Sequence, residues 1–148
     1  MGSMDTKASI FDHSWILLFT AWLFALAATL GALFIGEILG QEPCLLCWYQ
    51  RVAMFPLVLI LGVACYINDA SVGRYAIPLT GLGGSLALWH TLLYAELLPV
   101  AIEPCRQGTP CTGTGMTLFG TVPLPLLSLA TFGVITLLLW CANAKGER

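Results

Sequence analysis

The stretch Pro43-Cys44-Leu45-Leu46-Cys47-Trp48-Tyr49-Gln50-Arg51 sets a dithiol, two aromatics and a fixed cation at the mouth of a long apolar run. That run continues to Ile67 and is long enough, at about 1.5 Å per helical residue, to cross a hydrocarbon core about 30 Å thick. Three further runs have a similar length: Trp15–Ile35, Tyr75–Leu98 and Leu124–Ala142. The 148 residues are 58% hydrophobic and only 9% charged, with mean hydropathy +0.86. Soluble domains carry about 25% charged residues, so the composition is that of a membrane protein. A net charge of −2 without any basic cluster argues against a nucleic-acid partner.

These runs predict an all-α integral membrane protein, a four-transmembrane-helix bundle forming one domain over residues 1–148. The expected spans are 15–35, 45–67, 75–98 and 124–142, with outer loops at 36–44 and 99–123 and a tail at 1–14. Met1-Gly2-Ser3 ahead of Met4 reads as a cloning remnant, and the fit of Met1 to Thr6 to a myristoylation pattern as accidental. Ala25-Leu26-Ala27 mimics a signal-peptide cleavage site. The apolar run continues past it to Ile35, however, so a retained helix is expected. Short-loop charge sets the orientation. With cytoplasmic termini, Lys7, Arg74, Lys145 and Arg148 lie inside and only Arg106 lies in an outer loop.

This topology places Cys44 and Cys47 at the outer end of the second span, and Cys105 and Cys111 in the outer loop after the third. All four then share the side of the membrane where disulfides persist. Cys65 and Cys141 fall near the opposite helix ends and read as small buried hydrophobes. Gly108 and Pro110 favour a tight reversal that lets the loop sulfurs meet. Such a bond is either a structural staple or an accessible bond that exchanges with a partner's thiolate.

At about 100° per residue, Cys44, Cys47 and Arg51 fall within about 60° of one another on one helical face. A cysteine at a helix N-terminus gains thiolate stability from the free N–H groups. An arginine within a span is costly; it either serves a site or snorkels to the headgroups. Trp48 and Tyr49 stand at interfacial depth. A dithiol, a cation and aromatics at the membrane edge suit a quinone, whose ring stacks and whose carbonyls accept from a guanidinium. His90, in the third span, is either a quinone ligand or a structural histidine between helices. Glu96 reads as an interfacial charge.

The stretch from Pro43 to Arg51 resembles the signature of the disulfide bond formation protein B family of membrane thiol oxidases, closest to its short-loop, bacillus-type branch. His90, the segment Pro104-Cys105 to Pro110-Cys111-Thr112-Gly113, and Phe119-Gly120 before Pro123-Leu124-Pro125 extend the resemblance over nearly the whole chain. It implies a bacterial inner-membrane protein that reoxidises a soluble, extracytoplasmic thioredoxin-fold oxidase of the disulfide bond formation protein A type. It also implies a relay. The partner's thiolate attacks at Cys105, Cys111 passes electrons to Cys44, and Cys47 hands them to ubiquinone or menaquinone. Arg51, His90 and Trp48 match positions near the quinone. The second outer loop departs from the long-loop pattern, because its cysteines are six apart and leave no room for a helix between them. Vitamin K epoxide reductases share the four-helix plan but place their CxxC after the loop cysteines.

Two rivals use the same cysteines differently. Cys44, Cys47, Cys105 and Cys111 match the ligand count of a four-thiolate zinc scaffold, although Arg51 has no role there. A soft-metal transporter would add Cys65 and Cys141 to a path of thiols across the membrane.

Overall fold

The computed structural model describes residues 2–99, 111, 117–118 and 121–146. Four helices run through them: α1 (Gly2–Leu33), α2 (Leu45–Ile67), α3 (Gly73–Tyr94) and α4 (Leu124–Gly146). Each contains a segment long and apolar enough to cross a membrane, namely His13–Ile38, Leu45–Ile67, Gly73–Tyr94 and Leu124–Ala144. α1 packs on α2 and α4, and α3 packs on the same two, closing a four-helix ring.

The bundle is held by one narrow stripe per helix. On α2 the buried positions are Leu46, Gln50, Ala53, Met54, Leu57, Leu61 and Ala64, the three-and-four spacing of one helical face. On α3 the buried stripe is mostly small: Gly73, Ala76, Thr80, Gly83 and Ala87, then His90 and Leu93. Small residues let helix backbones approach where lipid provides no hydrophobic drive between helices. At Gly83 the approach is extreme, because a Cβ there would overlap the Phe132 ring of α4. The opposite faces carry exposed Leu59, Val63, Leu82 and Leu137, a surface suited to acyl chains. Exposed Trp48 and Tyr49 ring one end of the bundle, and exposed Tyr66, Tyr75 and Trp140 the other. Tyr49 and Tyr66 are about 25 Å apart along α2, close to the depth of a hydrocarbon core.

The helix ends depart from the expected spans for local reasons. α1 is helical from Gly2 through the expected tail, and continues past Leu33 as a π turn over Phe34–Ile38. α3 stops at Tyr94, short of the expected Leu98. Glu96 takes a left-handed φ of 57°, and the Leu97 N–H closes on the Leu92 carbonyl at 3.1 Å, which reverses the chain. His90 is therefore only four residues from the helix end, about 6 Å along the axis. At the other end of the bundle, Asn68 ends α2 at φ 55°. Asp69 then caps the next turn, accepting from the Ser71 N–H at 2.9 Å. A short hairpin, β1 (Thr117–Leu118) with β2 (Val122–Pro123), leads into α4.

Candidate functional site

Cys44 is the N-cap of α2. Its backbone is extended at ψ 168°, and its sulfur accepts from the Cys47 N–H at 3.2 Å. The same sulfur lies 2.7 Å from Cys47 Sγ, both cysteines being free thiols. Leu46, Leu93 and Cys111 close over it, so that Cys44 is 1% exposed. The Cys44 thiol is pushed down to about 5, chiefly by the hydrogen bond from Cys47. Burial opposes this shift; His90 and the Cys47 backbone N–H assist it.

A lowered pKa means that the Cys44 thiolate exists above about pH 5 and is lost as pH falls through that value. In reduced protein lacking Cys65 and Cys141, the ultraviolet thiolate absorbance should therefore show a step near pH 5. Cys47→Ala should move that step upward, toward the ordinary thiol value of about 8.5.

Cys111 comes from the loop before β1 and is fully buried against this centre. It is disulfide-bonded, and its sulfur, Cys44 Sγ and a ring nitrogen of His90 all lie within 4.8 Å of one another. His90 Nε2 sits 3.2 Å from the Cys111 carbonyl and 3.9 Å from Cys44 Sγ. On the other side of the ring, Nδ1 is 3.2 Å from Gln50 Nε2, and Ser128 of α4 donates its hydroxyl to Gln50 Oε1. Cys105 and Arg106 lie outside the described residues, as does the expected reversal at Gly108 and Pro110.

Beneath this junction a cavity of about 410 Å³ opens between α1, α2 and α4. Cys47, Gln50, Arg51 and His90 line it, with Ser128 and Phe132 from α4. Cys44 does not line it. Arg51 turns inward rather than out to the headgroups, donating from Nη2 to the Ala32 carbonyl of α1 at 2.7 Å. The π turn after Leu33 and the bare Cα of Gly36 make room, since a Cβ at Gly36 would lie 3.1 Å from Nη2. π turns recur at functional sites because they re-aim backbone groups. Trp48 does not line the cavity. It is half exposed, with its ring centroid 5.9 Å from Arg51 Cζ, so it touches the cation rather than the cavity.

Sequence reasoning missed Gln50 and Ser128 as members of the site. A buried amide in a span was a signal available in the quoted motif, because polar groups at that depth need a partner. Ser128 had no comparable local signal.

Four apolar helices whose dithiol abuts a disulfide-bonded cysteine make this a multi-pass membrane oxidoreductase of the thiol–disulfide class. The comparisons with known proteins agree. The family model described as "Disulfide bond formation protein DsbB" matches residues 13–142. A "Probable disulfide formation protein" of Metapseudomonas resinovorans is 58% identical over 127 residues, 85% of this chain and 88% of that protein. "Disulfide bond formation protein C" of Bacillus subtilis (strain 168) is 38% identical over 133 residues, 90% and 95% of the two chains. A "Probable disulfide formation protein" of Deinococcus radiodurans is 40% identical over 130 residues, 82% and 85%. No solved structure gives a significant match. The chain belongs to the disulfide bond formation protein DsbB family.

Proposed function

We propose that this protein is a protein-dithiol:quinone oxidoreductase of a bacterial inner membrane, with both termini cytoplasmic and both cysteine pairs outside. In this reading a reduced thioredoxin-fold oxidase attacks a Cys105–Cys111 disulfide at Cys105, and its second thiol resolves the mixed bond. The partner leaves as a disulfide, and the loop pair becomes a dithiol. The Cys111 thiolate then attacks Cys44 of a Cys44–Cys47 disulfide, forming an interloop bond and releasing Cys47 as thiolate. Cys105 resolves that bond, restoring its own disulfide with Cys111 and leaving Cys44 and Cys47 reduced. Two electrons and two protons leave the Cys44–Cys47 dithiol as its disulfide re-forms.

A bound quinone, ubiquinone or menaquinone, supplies the two-electron, two-proton acceptor. The cavity suits it: the walls are mainly aliphatic and aromatic, and polar groups converge at a few points. Arg51 offers donors beyond the one used on Ala32. Thr29, also in the lining, has a buried hydroxyl with no hydrogen-bond partner among the described residues, a group that a ligand carbonyl would satisfy. The observation that carries the reading is the division of the dithiol. Cys44 meets Cys111, whereas Cys47 lines the cavity beside Arg51.

The zinc reading is disfavoured because Cys111, held in a disulfide, offers no thiolate. The transport reading is disfavoured by distance, since Cys65 lies about 27 Å along α2 from Cys47.

The test is a coupled assay with detergent-purified protein, a reduced thioredoxin-fold partner and a soluble quinone analogue. One partner disulfide should form per quinone reduced. Arg51→His should raise the quinone KM about tenfold, the scale of a lost charge-assisted hydrogen bond, with the thiol steps intact. Equal quinone dependence in wild type and variant would remove Arg51 from the acceptor site, and partner oxidation without quinone reduction would remove the acceptor itself.

A further inference from the structure

We propose that Ser128 and Gln50 form a positioning chain that fixes the tautomer of His90, and that His90 thereby clamps Cys111 onto Cys44 for exchange between the two pairs. The inference rests on the relay proposed above and assigns His90 to the sulfur junction, with two positioning residues behind it.

The polarity of the chain follows from what each atom is able to do. The Ser128 hydroxyl donates to Gln50 Oε1, which turns the amide nitrogen toward His90 Nδ1 at 3.2 Å. An amide nitrogen only donates, so Nδ1 accepts and the ring proton sits on Nε2. At the far end, Nε2 faces the Cys111 carbonyl at 3.2 Å, and a carbonyl only accepts. Both ends therefore demand the same tautomer. With the proton on Nδ1, the amide would face a donor and the carbonyl a bare lone pair. Two hydrogen bonds would be lost together in a site where Gln50 is 7% and His90 1% exposed.

The chain links α2, α3 and α4 to Cys111, which lies outside the described helices and strands. Its terminal bond grips the backbone of Cys111, keeping that sulfur within 4.8 Å of Cys44 Sγ. In the exchange step the Cys44–Cys47 bond breaks, the Cys44–Cys111 bond forms, and the negative charge moves from Cys111 to Cys47. Bond count and redox state balance, so what His90 contributes is proximity and orientation.

The test separates tautomer, exchange and turnover. In a His13→Gln background His90 is the sole histidine, and its nitrogen-15 spectrum at alkaline pH should show the Nε2–H form. Gln50→Leu should convert it to a mixture of tautomers, and Ser128→Ala, which leaves α2 untouched, should shift it in the same direction by less. Rapid-quench trapping in the absence of quinone should show formation of the Cys44–Cys111 bond slowed about tenfold in Gln50→Leu and about threefold in Ser128→Ala. Gln50→Asn, which retains an amide, should recover less than half of the lost exchange rate because its reach is shorter. An Nδ1–H signal in the parent, or an Nε2–H signal unchanged in both Gln50→Leu and Ser128→Ala, overturns the proposal; so does formation of the Cys44–Cys111 bond at the wild-type rate in both variants. Failure of quinone reduction in the parent, with the tautomer shift intact, overturns the acceptor reading instead and leaves the positioning chain standing.

Discussion

Cys47→Ser should abolish quinone reduction and leave the protein with Cys44 linked to Cys111. In the unsubstituted chain Cys44 Sγ has two sulfur neighbours among the described residues, Cys47 at 2.7 Å and the disulfide-bonded Cys111 within 4.8 Å. Removing the Cys47 sulfur leaves Cys44 one sulfur partner among the described residues. In the proposed relay its thiolate attacks Cys111, expels the sulfur bonded to it as the leaving thiolate, and has no resolving thiol on its own side. The exchange is redox-neutral, so the linked form needs no oxidant. Peptide mapping under non-reducing conditions should recover the Cys44–Cys111 pair as the main species, and turnover should fall by at least about a thousandfold, as expected when a covalent relay loses a member. Cys44→Ser should be equally inactive but should trap no interloop bond, because Cys47 faces the cavity instead. Finding Cys44 free in Cys47→Ser would break the assignment of Cys44 as the loop-facing sulfur. Turnover surviving in Cys47→Ser would break the electron order.

Gly83→Ala should cost the bundle about 3 kcal/mol, the upper range for overpacking a filled core. The added Cβ meets the Phe132 ring itself, a rigid group that is 1% exposed and has no flexible end to swing away. α3 and α4 must then separate or the ring must leave its rotamer. For a chain of this size the loss corresponds to about 6–12 °C in the thermal midpoint, read by unfolding in detergent. Phe132 also lines the cavity, so the quinone KM should rise in the same variant. Adding Phe132→Leu should recover most of the loss, and the coupling measured in that double-mutant cycle identifies the contact. Equal midpoints for Gly83→Ala and wild type would mean that the helices do not approach as closely as the structure has them. Gly31 provides a control, since a Cβ there meets nothing within 4 Å.

The legible part of this protein was that carried by consecutive residues. The second span, Leu45–Ile67, is bounded by a Cys N-cap after Pro43 and an Asn C-cap, both of which act within one turn. Hydropathy carries the third span to Leu98 because Leu97 and Leu98 are apolar, and it does not register the reversal set by the left-handed φ of Glu96. Cys44, Cys47 and Arg51 were legible as a stripe because helical phase is a property of spacing. The motif places Trp48 near the acceptor, whereas the structure sets it against Arg51 outside the cavity. Ordinary helical rotation carries position 48 about 100° away from Cys47.

The sequence by itself determined how many helices are long and apolar enough to cross a membrane, that Cys44 and Cys47 stand at the start of the second, and which residues share a face of α2. Each of these depends on apolar length or helical period, which are local quantities. Only the tertiary structure decided which sulfur meets which neighbour. Ser128 reaches Gln50 across 78 residues, His90 meets Cys111 across 21, and Arg51 finds the Ala32 carbonyl across 19. Those contacts follow from the closing of four helices into a ring and from a π turn that no periodicity announces. The packing sets Cys44 against Cys111 and leaves Cys47 in the cavity wall, so that two sulfurs one turn apart face different neighbours.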